Sequence, residues 1–93
     1  MDLDGTLLPH EGGIPARVKA AVQRAHDHGV LVTLASGRTF ASTARFAAEL
    51  GIRLPLISHQ GALVKDPHSD RILHEDLIPI EIMRGVISFA RQN

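Results

Sequence analysis

The 93-residue sequence has no cysteine, no tryptophan and no tyrosine, and its aromatic residues are Phe40, Phe46 and Phe89. Without cysteine there are no disulfides, no thiolate nucleophile and no cysteine-ligated metal. So few rings provide no platform on which bases would stack. Neither sign of charge is in excess, since ten Lys and Arg balance ten Asp and Glu. No broad field therefore recruits nucleic acid or an acidic membrane, and any anion must be bound by a local arrangement. No apolar run approaches the roughly 20 residues that span a bilayer. The acidic start Met1-Asp2-Leu3-Asp4 is unlike a basic leader. A soluble cytoplasmic protein is the resulting expectation. The hydrophobic content of 44% suffices for a core, although a chain this short buries a modest share of its surface.

What is present alternates short apolar runs with amphipathic ones, with no internal repeat. Leu7-Leu8-Pro9 leads into a polar, glycine-bearing loop, His10 to Gly13. Pro15 stands where a first helical residue would, because its missing N–H costs nothing there. Val18, Ala21, Val22 and Ala25 follow at helical spacing, and Gly29 suits a left-handed stop. Val30 to Ala35 reads as a buried parallel strand. Ser36-Gly37-Arg38-Thr39 is a turn. A second helix carries Phe40, Ala44, Ala47 and Ala48 on one side and stops at Gly51. Leu54 to Ser58 reads as another short strand. Alternation of this kind implies an α/β fold with a parallel sheet and right-handed crossovers. Beyond Gly61 the pattern changes. Ala62–Lys65 and Arg71–His74 flank a polar turn and predict a β-hairpin. Ile82, Met83, Val86, Ile87 and Ala90 then predict a third helix, with no later partner for its apolar face. Only Met1, Asp2 and Leu3 are left to form the strand that such a sheet needs first, which leaves an unpaired edge and predicts poor solubility or partner-dependent folding.

The most informative stretch is Asp2-Leu3-Asp4-Gly5-Thr6. Residues i and i+2 of a strand point the same way, so Asp2 and Asp4 are expected to face one site, with Gly5 turning the chain beside it. Carboxylates this close repel unless a cation lies between them or one is protonated. Magnesium suits such a pair, being held by few carboxylates plus waters and phosphate oxygens. Ser36-Gly37-Arg38 follows a strand and precedes a helix, which sets a hydroxyl and exposed N–H groups at the carboxyl edge of the sheet, the ingredients of a phosphate site. Arg38 either adds a cation there or braces the loop. The six histidines show no ligand spacing and read as solvated or structural; His26 and His28, two apart on a helix, do not share a face. Gly12-Gly13 lacks the strand and helix of a nucleotide-binding fingerprint.

Asp2-Leu3-Asp4-Gly5-Thr6-Leu7-Leu8, followed about thirty residues later by Leu34-Ala35-Ser36-Gly37-Arg38, resembles the first two motifs of the haloacid dehalogenase superfamily. His59-Gln60-Gly61-Ala62 with its hairpin is similar to the Cof-type sugar-phosphatase branch. The resemblance implies a partial Rossmann-like parallel sheet over residues 1–61. Residues 62–93 would open a C2-type cap domain, the part that selects substrates. It implies Asp2 as the nucleophile that forms an aspartyl-phosphate and Asp4 as general acid and base. Ser36, Gly37 and Arg38 would bind phosphate, and Asp2 and Asp4 would hold Mg2+. The substrate would be a small phosphate ester such as a sugar phosphate. Two features depart from the family. Its later lysine and later acidic motif have no counterpart in residues 1–93, where Lys19 and Lys65 are the only lysines. Its usual asparagine before Gly-Ala is Gln60 here. An isolated chain of this kind is expected to turn over weakly or not at all. The competing expectation is a non-catalytic truncated remnant. A phosphoacceptor receiver domain is a third class, disfavoured because its acceptor follows a middle strand and the acidic pair here comes first.

Overall fold

A computed structural model describes residues 1–9 and 13–92. Of the loop expected at His10–Gly13, only Gly13 falls among them. The elements are helix α1 (Ala16–Asp27), helix α2 (Phe40–Leu50), strand β1 (Leu56–Ser58), a 3-10 turn (His59–Gly61), strands β2 (Leu63–Lys65) and β3 (Ile72–Glu75), and helix α3 (Ile80–Gln92).

Helix α1 begins one residue later than expected, with Pro15 extended as its N-cap and its carbonyl accepting from Val18 and Lys19. Gly29 closes it at φ 77°, with Val30 N–H donating to the Ala25 carbonyl and Gly29 N–H to that of His26, the paired bonds that satisfy a helix end. That closure explains why the expected strand at Val30–Ala35 is shorter than its apolar run. Val30 spends its donor on the cap, and Leu31 is 81% exposed. Pairing starts at Thr33.

Residues 33–36 then run between two parallel neighbours. On one edge the Met1 ammonium donates to the Thr33 carbonyl (2.7 Å) and Ala35 N–H to that of Met1 (2.7 Å). On the other, Ile57 N–H donates to Leu34 (3.0 Å) and Ser36 N–H to Ile57 (2.9 Å), bridging Ala35 to Ile57 in parallel. Each neighbour thus bonds the residues flanking its partner, the pattern of a parallel ladder. Leu3, Leu34 and Leu56, one from each segment, have no solvent exposure and form the centre of the core. β1 then pairs on its far edge with β2, antiparallel, and β2 with β3 in the expected hairpin, whose register shifts between Val64 and Lys65.

Helix α2 buries Thr43, Phe46, Ala47 and Leu50. Of the side read from the sequence, Ala47 is buried, Phe40 and Ala44 pack half-buried against the core, and Ala48 is exposed. A polar residue can take the central buried position because the Thr43 hydroxyl donates to the Thr39 carbonyl at 2.9 Å, which leaves no unsatisfied group in the core. Thr39 caps the helix by accepting from Ser42 N–H, and Gly51 ends it in the left-handed conformation. An ion pair from Lys19 to Glu49 (2.5 Å) links the two helices.

Helix α3 buries nothing. The molecule is correspondingly long, 53 × 31 × 15 Å, with a radius of gyration of 16.4 Å, against about 12 Å for a compact chain of this size. No helix of the described residues is long and apolar enough to cross a membrane.

Candidate functional site

The carboxyl ends of the three parallel segments converge on one edge. The chain arriving at Asp2-Leu3 does not continue as a strand. The Leu3 carbonyl accepts from Thr6 (3.3 Å), Leu7 (3.0 Å) and Leu8 (2.8 Å), which wraps Asp4–Leu7 into a tight loop, with Gly5 at φ 77°. The alternation expected to put Asp2 and Asp4 on one face therefore ends at Leu3.

The five candidate residues divide between two adjacent cavities. Asp2, Ser36 and Gly37 line the first, of about 360 Å³, over a floor of Ala35 and Ile57 and under the turn Gln60-Gly61. Asp4 and Arg38 line the second, of about 580 Å³, beside Arg45 and Phe46. In the first, one oxygen of Asp2 accepts from its neighbour Leu3 N–H (2.9 Å), and the other has no hydrogen-bond partner among the described residues. Ser36 is buried, its Oγ accepting from Arg38 N–H at 3.0 Å, which still leaves its O–H able to donate.

In the second cavity the guanidinium of Arg38 grips Asp4 with both arms, Nε to Oδ2 at 2.9 Å and Nη2 to Oδ1 at 2.7 Å. Its third nitrogen donates to Ser42 Oγ (3.1 Å), and its carbon lies 5.1 Å from the centre of the Phe46 ring. The hydrogen bonds from Arg38 hold the Asp4 carboxyl below its ordinary range, and the same bonds raise the guanidinium. The repulsion expected between two near carboxylates is thus answered on one side by an arginine. Of the two roles open to Arg38, bracing is the one this geometry displays.

The turn His59–Gly61 forms the roof. All three residues have positive φ: 50°, 57° and 91°. For His59 and Gln60 this is a costly conformation. It is held by bonds to the Ser-Gly-Arg loop: His59 N–H to the Arg38 carbonyl (2.8 Å), Gln60 N–H to that of Ser36 (3.3 Å) and Phe40 N–H to His59 Nε2 (3.2 Å). His59 therefore has the structural role expected of it, as a second cap on α2. The roof places the Gln60 side chain against Gly37. A Cβ at Gly37 would lie 2.2 Å from Gln60 Nε2, so glycine is what lets the amide settle there. In the sequence Gln60 stood out only as a departure from a family pattern. Ser42 was not singled out in the sequence.

No cluster of three or more His, Cys, Asp or Glu residues able to hold a metal occurs among the described residues. The donors at the edge are one unengaged oxygen of Asp2 and the backbone carbonyl of Asp4, which accepts no hydrogen bond among the described residues. These are hard oxygen donors and fit a magnesium ion that keeps most of its water.

A profile describing haloacid dehalogenase-like hydrolases matches residues 1–93. The 5-amino-6-(5-phospho-D-ribitylamino)uracil phosphatase YwtE of Bacillus subtilis (strain 168) is 39% identical over 89 residues, covering 96% of this chain and 30% of that protein. The 5-amino-6-(5-phospho-D-ribitylamino)uracil phosphatase YitU of the same organism is 25% identical over 91 residues, covering 97% of this chain and 34% of that protein. A crystal structure of a haloacid dehalogenase-like hydrolase from Bacteroides thetaiotaomicron superposes with a TM-score of 0.85 at 28% identity, over 98% of this chain and 35% of that one. The chain thus spans about a third of the length of these relatives. Matched along its whole length by the profile, and carrying both motifs at the ends of parallel segments, the chain belongs to the haloacid dehalogenase-like hydrolase family.

Proposed function

We propose that this chain carries the nucleophile and the phosphate cradle of a phosphohydrolase acting on a small phosphate ester, a sugar phosphate being the favoured kind. Residues 1–61 would be the opening part of the catalytic core, and residues 62–93 the start of the substrate-selecting cap. The observation that supports this reading most directly is the shared cavity of Asp2, Ser36 and Gly37. There a carboxylate shares one cavity with a hydroxyl and a glycine-bearing turn that leads into a helix, where an anion is favoured.

In the first step an Asp2 oxygen bonds to phosphorus while the bond from phosphorus to the ester oxygen breaks, and Asp4 gives its proton to the departing oxygen. In the second, water attacks the aspartyl-phosphate, its proton passes to Asp4, and inorganic phosphate leaves as the Asp2 carboxylate is restored. Ser36 Oγ–H and Gly37 N–H would hold the phosphoryl oxygens; the loss of one such donor costs on the order of 10²–10³ in rate. Asp2 and the Asp4 carbonyl would hold Mg2+, which neutralises phosphate charge when bound. For Asp4 to carry a proton, one arm of the Arg38 fork must let go, since both carboxylate oxygens accept from it; the other arm and the bond to Ser42 would still hold the guanidinium in place.

A second reading, a non-catalytic piece of such an enzyme, is favoured by helix α3, which has no buried side chain among the described residues. Hydrolysis of p-nitrophenyl phosphate with magnesium, and binding of inorganic phosphate, separate the readings. Turnover that Asp2→Asn abolishes supports the enzyme. Phosphate binding without turnover supports the non-catalytic piece. Neither binding nor turnover would sink the phosphate assignment altogether.

A further inference from the structure

We infer that Gln60, rather than Arg38, supplies the side-chain N–H donor to a phosphate ester in the Asp2 cavity, and so acts as a specificity-determining residue; this rests on the phosphate reading above. Arg38 is spoken for: Nε and Nη2 serve Asp4, Nη1 serves Ser42, its backbone N–H goes to Ser36 Oγ, and its carbonyl accepts from His59. It lines the neighbouring cavity, not the one that holds Asp2. A guanidinium extracted to reach phosphate would leave Asp4 and Ser42 unpaired.

Gln60 is in the opposite condition. Its amide has no hydrogen-bond partner among the described residues, yet it lines the cavity and is seated on Gly37. The backbone beneath it is locked left-handed and tied to Ser36 and Arg38 through its own N–H and that of His59. A non-glycine residue held in such a conformation costs on the order of 1–3 kcal/mol. What the strained turn achieves is to hang this one side chain over the turn that would cradle the anion. With Ser36 Oγ–H, it is the side-chain donor present in a cavity whose charged group is the Asp2 carboxylate. A carboxamide also carries an acceptor, so the same group that donates to a phosphoryl oxygen can receive from a hydroxyl on the alcohol side. That chemistry favours a hydroxylated monoester over an apolar one.

The test is titration of the 93-residue chain with inorganic phosphate in the presence of magnesium, followed by NMR shifts of the Ser36–Arg38 amides. Gln60→Ala should weaken binding about threefold to tenfold, as expected for one neutral hydrogen bond. Gln60→Gly, which relieves the left-handed backbone while removing the same amide, should weaken it equally. Gln60→Glu should abolish it, because a carboxylate then faces both Asp2 and the anion. Arg38→Met should change the affinity less than Gln60→Ala does. Wild-type affinity in Gln60→Ala and Gln60→Gly, alongside a tenfold loss in Arg38→Met, would overturn the assignment while leaving the phosphate site standing. If the unaltered chain fails to bind phosphate, the underlying reading falls and this one with it.

Discussion

Residues 1–61 and residues 62–92 draw on the same kind of sequence and end in opposite conditions. Every buried side chain among the described residues, from Leu3 to Ser58, belongs to the first stretch. The second contributes none, although α3 places Ile80, Met83 and Ile87 at helical spacing. α2 is no more sharply two-faced than α3, but α2 lies against β1 and α1. An apolar stripe stabilises a helix only by what it covers. Cooperative stability should therefore reside in the first stretch. The second is joined to it by the β1–β2 pairing and by Lys65 Nζ, 4.6 Å from the Phe40 ring.

The largest contrast comes from truncating one aliphatic side chain in each region. Leu34→Ala should cost about 2–5 kcal/mol of unfolding free energy in urea, because it empties the centre of the core, whereas Ile87→Ala should stay within about 0.5 kcal/mol. Equal losses would mean that α3 is packed in solution. A middle-sized effect tests the helix that supports the site: Thr39→Ala removes the cap bond to Ser42 N–H and should cost about 1 kcal/mol. That loss should appear as faster amide exchange in the first turn of α2, with α3 unmoved.

The smallest effect concerns acid. The Asp66 carboxyl is held below its ordinary value of 3.8 by the backbone N–H groups of His68 and Ser69. A lowered folded value means that its contribution is complete above that ordinary value and is lost as pH falls through the lower one. Acid titration below about pH 4 should therefore loosen the 66–70 turn and, apart from the Asp4–Arg38 fork, whose carboxyl is also held low, leave the amides of Leu34 and Leu56 in the core unshifted. A concerted shift in both would break the distinction.

Much of this was legible in the residues. Helical spacing, with Gly29 and Gly51 at the stops, located α1 and α2, and a polar segment between β-prone runs located the hairpin. What escaped depended on bonds between distant residues. The 30–35 run shortened because Val30 turned back to cap α1. Thr43 joined the buried side of α2, its hydroxyl satisfied within the helix. The attachment of β2 to the free edge of β1 left no trace in either strand. At the candidate site the motif residues did gather at one edge, but the division of Asp2 from Asp4 followed from a turn closed on a backbone oxygen, which no side-chain pattern encodes. Nor did the sequence reveal that Arg38 would be matched with Asp4.

That backbone oxygen has a consequence of its own. Leu3 is one of the three core leucines without solvent exposure, and its carbonyl is also the peg from which the following loop hangs by three N–H groups. Whatever nudges Leu3, even a repacking far beneath the surface at Leu34 or Leu56, swings the Asp4 loop with it. Tolerance to drift in the interior should accordingly be lowest around this leucine, where a change harmless to folding could still misalign the chemistry above.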